Sequence, residues 1–181
     1  MEASILRAIH AHASPFLDGL FVLSHQLGTF WFCAPLVLVV AWWHRHRGET
    51  RAARVWVLAG LLTWVIPELV KRVVARPRPD LWPRLVATGS FSFPSGHALA
   101  SAALYPLLAW DLTRTKPRAA RVAALAAAIA LSLFIGLGRL YLGVHWPTDV
   151  AAGWTIGAVQ AVAAIRYLGR ANRRAPRPRE G

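Results

Sequence analysis

The chain has 181 residues, 56% of them hydrophobic, with a single cysteine and 21 lysines and arginines against eight acidic residues, a formal charge of +13. That apolar fraction excludes both an ordinary soluble domain and a disordered chain, and one cysteine excludes an intramolecular disulfide. The charge invites a nucleic-acid partner, but it falls in clusters between long apolar runs, the pattern of membrane topology, so no nucleic acid is expected.

In chain order, residues 3–21 carry Ile5, Leu6, Ile9, Ala13, Phe16, Leu17 and Leu20 at roughly helical spacing, interrupted by Arg7, His10, His12 and Asp18. The pattern predicts an amphipathic helix lying on the outer membrane surface. Five apolar stretches follow, near 25–43, 55–74, 97–112, 122–140 and 150–168, each close to the roughly 20 residues a bilayer requires. The expected fold is therefore all-α, a polytopic bundle of five spans plus an interfacial helix. It forms one membrane-embedded domain over 1–168, with a basic, disordered cytoplasmic tail over 169–181.

The connections orient this bundle. Segments 44–54 and 113–121 and the chain from Arg166 onward hold fourteen of the 21 cations and lie on one side, which the positive-inside rule makes cytoplasmic. The first terminus then lies outside and the last inside. Six of the remaining cations crowd two external loops, an excess that topology does not call for. Cys33 reads as a packing residue. Trp42, Trp43, Trp56 and Trp110 read as an inner aromatic belt, and Trp82 and Trp146 as an outer one. Glu68 is placed to pair with Lys71 or Arg72, and Pro67 to kink the second span. His10, His12, His25, His44 and His46 read as interface or loop residues.

Three segments meet on the outer face: "KRVVARPRPD" closing the second span, "PSGH" opening the third, and "GRLYLGVHWPTDV" between the fourth and fifth. Lys71, Arg78 and Arg139 supply cations at a low-dielectric boundary, where arginine forks suit phosphate oxygens. Ser95 and Gly96 stand at a helix N-terminus whose free N–H groups favour an anion, with Pro94 in its first turn. His145 precedes Asp149 by one helical turn, so the carboxylate can accept from one imidazole nitrogen and leave the other aimed at phosphorus. His97, across the cradle, can protonate the leaving oxygen, and such a pair implies a bell-shaped pH dependence. Arg72, Arg76 and Arg84 serve either lipid headgroups or substrate phosphate. A two-metal phosphatase needs several carboxylates, which eight acidic residues barely supply, so no metal or other cofactor is expected.

Lys71 with Arg78-Pro79, Pro94-Ser95-Gly96-His97, and Arg139 with His145 and Asp149 together resemble the three-part signature of the type-2 phosphatidic acid phosphatase superfamily, which includes membrane lipid phosphatases and vanadium haloperoxidases. The resemblance implies that His145 is a nucleophile forming a phosphohistidine, that Asp149 orients it and that His97 is the general acid. It further implies that Lys71, Arg78, Ser95, Gly96 and Arg139 hold the phosphate. The family pattern has serine before the third-motif arginine; here Gly138 stands there, so either one phosphate hydrogen bond is lost or a neighbour such as Tyr141 or the backbone replaces it. The first of six spans common in bacterial members is also missing. The expected reaction is metal-independent hydrolysis of a membrane lipid phosphate or pyrophosphate at the outer face of a bacterial inner membrane. Undecaprenyl pyrophosphate is the first choice, ahead of phosphatidic acid and phosphatidylglycerol phosphate. A lipid phosphotransferase and a non-catalytic lipid-binding scaffold are the rival readings.

Overall fold

The structure, a computed structural model, describes residues 1–89 and 91–174. Among them are seven helices: α1 (Glu2–His10), α2 (Pro15–Leu27), α3 (Phe30–His46), α4 (Thr50–Val74), α5 (Gly96–Thr113), α6 (Arg118–Tyr141) and α7 (Pro147–Arg174). The architecture is all-helical, and the boundaries follow local chemistry. Ser14 caps α2 by accepting from the Leu17 amide, with Pro15 in the first turn. Ala75, in the left-handed conformation (φ 48°), stops α4 and returns its amide to the Lys71 carbonyl.

The expected interfacial helix over 3–21 is instead two helices. The Ser14-Pro15 start signal breaks the amphipathic run, and α2 continues to Leu27, past the expected start of the first span. α1 is not merely interfacial either, since Leu6 is fully buried. The expectation of five spans is met in part. By length and apolarity α4, α6 and α7 can each cross a membrane, and α2 with α3, bent by 43°, can make a fourth span. α5 falls short of that apolarity for a physical reason: it is the central helix, buried along most of its length against α4, α6 and α7, and a helix shielded from lipid need not be greasy on every side. α7 continues beyond residue 168 to Arg174, so the start of the expected tail is helical; residues 175–181 lie outside the described residues.

The α5–α7 contact is made by backbone approach. A Cβ on Gly153 would lie 2.5 Å from the Ser95 carbonyl oxygen, and one on Gly157 would lie 2.3 Å from that of Leu99. Neither backbone atom can swing aside as a side chain would. Below this seam, Cys33, Val37, Trp56, Leu104, Leu107 and Leu168 form an apolar core joining α3, α4, α5 and α7. Cys33 is thus the packing residue expected of it.

At the end of the bundle away from the PSGH segment, the α3–α4 and α5–α6 connections come together. His44, fully buried, sits between Asp111 (2.5 Å) and Glu49 (2.7 Å), and Arg114 donates to Glu49. Trp56 is not part of an aromatic belt: it is fully buried and donates its indole N–H to Asp111. These polar groups explain how a histidine and an aspartate are tolerated inside an apolar bundle, since each buried charge has a partner.

Substituting Gly157 with alanine should lower the melting temperature of the detergent-purified protein, by an overpacking cost of about 1–3 kcal/mol. A melting curve identical to wild type would show that the seam tolerates separation.

Candidate active site

The two long loops are shaped by backbone bonds that bring the three sequence segments together. The 75–95 loop is stapled by Ser92, whose amide and hydroxyl both donate to the Arg76 carbonyl, and by a bridge between Pro77 and Phe91. Ser95 caps α5, accepting from the Ala98 amide, and its own amide donates to the Asp149 carbonyl at 3.0 Å. Pro94 therefore precedes the helix and its cap rather than occupying the first turn.

The result is a cavity of about 140 Å³ lined by Lys71, Arg78, Gly96, His97, Arg139 and His145. Of the residues expected to form the site, Ser95 and Asp149 stand behind this wall, fully buried. A cavity this small is well below the roughly 300–1,000 Å³ of pockets that hold a whole small molecule, so it fits an anionic headgroup and not a lipid chain. Lys71 is paired with Glu68 (2.8 Å), as expected, and both side chains line the pocket.

The tautomer of His145 follows from its neighbours. Arg78 Nη1 lies 3.1 Å from His145 Nε2 and also donates to the Val144 carbonyl. A guanidinium can only donate, so Nε2 is the accepting nitrogen and the proton sits on Nδ1. Burial pushes this imidazole down to about 4, with Arg78 and Arg139 adding to the effect against the opposing pull of Asp149. At neutral pH the ring is uncharged, with its lone pair directed at the cations.

The expected hydrogen bond from His145 to Asp149 is not closed: Nδ1 and Oδ2 are 3.6 Å apart. The carboxylate is instead held by Arg76 on Oδ1 (2.6 Å) and by the Trp146 amide on Oδ2 (2.8 Å). It is thereby fixed in the direction of the ring; such contacts are often long in empty sites and tighten as charge develops. Arg76 is itself clamped by Glu2, which also accepts from the Thr148 amide and hydroxyl, so α1 ties the frame of the site together. Trp146 donates to the Pro77 carbonyl and lies under Arg76, and Trp82 stacks on His10 at 3.9 Å; these contacts, rather than a membrane belt, place both rings.

Three buried polar atoms here have no hydrogen-bond partner among the described residues: His97 Nε2, Arg139 Nε and His145 Nδ1. The last faces Asp149; buried groups are seldom left so, and the other two, on residues that line one pocket, mark a place built for a ligand. Gly138 does not face that pocket. A Cβ there would lie 2.5 Å from Ser24 Oγ, and Tyr141, expected as a substitute donor, instead donates to Asp18 on α2.

Sequence reasoning missed Arg76 as the support of Asp149, Glu2 as its clamp, and His25, which lies in the pocket wall. A titratable group inside an apolar stretch was the available signal for His25; nothing local marks Glu2.

A family model described as the PAP2 superfamily matches residues 52–173. The chain is 30% identical to phosphatidylglycerophosphatase B of Bacillus subtilis over 158 residues, covering 86% of this chain and 77% of that one. It is 28% identical to an undecaprenyl-diphosphatase of Sulfolobus acidocaldarius, covering 87% and 73%. The crystal structure of a transmembrane PAP2-type phosphatidylglycerolphosphate phosphatase from Bacillus subtilis superposes with a TM-score of 0.88 at 26% identity, covering 96% of this chain and 87% of that one. Aquifex aeolicus LpxE shares the fold, with a TM-score of 0.70 at 24% identity, covering 92% and 95%.

Nitrogen-15 NMR of histidine-labelled protein, with His145→Asn for assignment, should find the His145 ring neutral down to about pH 4 instead of the ordinary 6.5. The unfolded chain takes up a proton that the folded site refuses, so this residue's contribution to stability is present above pH 6.5 and is lost as pH falls towards 4. Titration near 6.5 in the folded protein would contradict the account of the pocket.

Proposed function

The chain belongs to the PAP2 superfamily and is a membrane lipid phosphatase, and from that membership we propose that it removes a terminal phosphoryl group from its lipid through a phosphohistidine on His145, without a metal. The observation that carries this reading is the meeting of Lys71, Arg78 and Arg139 with the neutral, lone-pair-bearing Nε2 of His145 in one headgroup-sized cavity.

The roles follow from chemistry. The three cations take the phosphate oxygens and stabilise the charge that spreads over them in the transition state. The free N–H groups of the α5 N-terminus at Gly96 and His97 add to that cradle, and Ser95 shapes it as the cap. His145 Nε2 attacks phosphorus as the bond to the leaving oxygen breaks, and His97, protonated alongside the bound phosphate, passes its Nε2 proton to that oxygen and is left as the neutral imidazole. The positive charge created on His145 draws Asp149 towards Nδ1. Water, deprotonated by His97, then attacks the phosphohistidine; the N–P bond breaks, phosphate leaves, and both rings regain their starting states. A divalent metal has no evident place among three cations.

The same charge pattern supports an orientation. The 44–54 and 113–121 segments, with eight of the 21 cations, lie at the end away from the pocket, and by the positive-inside rule this supports a pocket at the outer face of a bacterial inner membrane, with the N-terminus outside. The whole chain over 1–168 acts as one membrane-embedded domain. At that face the first substrate to expect is an isoprenoid pyrophosphate such as undecaprenyl pyrophosphate, whose carrier is recycled there. A second reading, phosphatidylglycerol phosphate, is favoured by the relatedness to the Bacillus phosphatase. Both present a terminal phosphoryl group of the size the cavity takes.

Phosphate release by detergent-purified protein in the presence of chelator should be measured on undecaprenyl pyrophosphate, phosphatidylglycerol phosphate and phosphatidic acid. Release from at least one lipid is expected, with an acid limb of kcat/KM near pH 4 set by the free enzyme's His145. Activity that appears only when magnesium is restored would overturn the metal-free reading.

A further inference from the structure

The C-terminal turn of α2 wedges between α5 and α6, the helices that bear His97 and Arg139, and no part of the three-segment signature accounts for it. Arg139 is only 2% exposed and has no carboxylate partner among the described residues. Among the described residues its side chain makes one hydrogen bond, to His25, with Nη1 2.5 Å from Nδ1. The guanidinium can only donate, so Nδ1 accepts and the His25 ring is neutral with its proton on Nε2. The same ring stacks on His97, with centroids 4.7 Å apart and planes 19° from parallel.

The rest of the turn is fitted to this arrangement. Gly28 lies so close to His97 that a Cβ would sit 2.7 Å from its Cδ2. The Leu27 carbonyl accepts from the Tyr105 hydroxyl at 2.6 Å, tying the end of α2 to α5. Ser24 fills the space beside Gly138, next to Arg139 in the chain. One side chain thus touches both the deepest phosphate-binding cation and the proposed general acid.

We propose that His25 is a positioning residue of the phosphate pocket, its Nδ1 holding the Arg139 guanidinium in register for the phosphate and its ring backing the His97 imidazole. This rests on the phosphatase reading of the pocket. The two contacts serve different steps: the hydrogen bond to Arg139 governs how tightly the anion is held, and the stack governs where His97 presents its proton.

Substitutions can separate them. His25→Asn keeps an acceptor oxygen near the position of Nδ1 and loses the ring. His25→Phe keeps the ring and loses the acceptor. His25→Gln, whose oxygen reaches the Nε2 position instead, stands in if the Phe variant does not fold. Kinetics on a short-chain phosphatidic acid should be paired with the dissociation constant of orthovanadate, measured by thermal shift of the full chain in detergent. In His25→Phe, KM and the vanadate constant should both rise about tenfold, the scale of a hydrogen bond to a charged group, with kcat within about threefold. In His25→Asn, vanadate binding should stay within about threefold while kcat falls about three- to tenfold, the scale of a lost ring stack. Equal losses in both variants would reduce His25 to a packing residue, and wild-type behaviour in both would remove it from the site; either overturns the proposal. If wild type binds vanadate with this split but hydrolyses no lipid, the hydrolytic reading fails and the role of His25 stands. If wild type does not bind vanadate at all, the proposal fails with the anion pocket.

Discussion

The close approach of α5 and α7 is the constraint on which the site depends. Glycines at 153 and 157 let the two backbones touch, and at the top of that seam the Ser95 amide bonds the Asp149 carbonyl. This one contact joins the segment that carries His97 to the segment that carries His145. Residues far apart in the chain are thereby held together by packed helices and by loops stapled to them, which is what positioning of reacting groups demands. The apolar core below the seam and the His44–Asp111 lock at the far end keep the helices at the angles that the seam requires.

The second organising effect is electrostatic. Three cations with one carboxylate between them face one small cavity, so their mutual repulsion is relieved when an anion arrives. The same burial and the same cations keep His145 uncharged and nucleophilic. One environment therefore prepares both sides of the reaction: it attracts the phosphate and leaves the attacking nitrogen free. α1 and α2 complete the arrangement from outside the family signature. Glu2 clamps Arg76, which holds Asp149, and the end of α2 closes the wall beside His97.

Much of this was legible in the sequence, and the reasons differ by feature. α4, α6 and α7 announce themselves as apolar stretches of membrane length, and the loop charges bring the three motif-bearing segments to one end of the bundle. Lys71, Arg78, Gly96, His97, Arg139 and His145 do line one pocket. What escaped was tertiary. The lower apolarity of α5 makes sense only once it is seen at the centre, packed against α4, α6 and α7. Trp56 reads as an interfacial ring until Asp111, distant in sequence, is found beneath it. The break between α1 and α2 was written locally, in Ser14-Pro15, but the regular apolar spacing across it masked the signal. Arg76 and His25 gain their places from partners on other helices, which no local pattern encodes.

The most direct test of the central claim, that His145 carries the phosphoryl group, is to trap it. The protein should be mixed with lipid labelled in its terminal phosphate, quenched in alkali within the first turnovers, and digested for peptide mapping. The account predicts a label that is stable to alkali and labile to acid, on the peptide containing His145, and absent from His145→Ala. Turnover without any such label under conditions that preserve phosphohistidine, or turnover retained by His145→Ala, would contradict it.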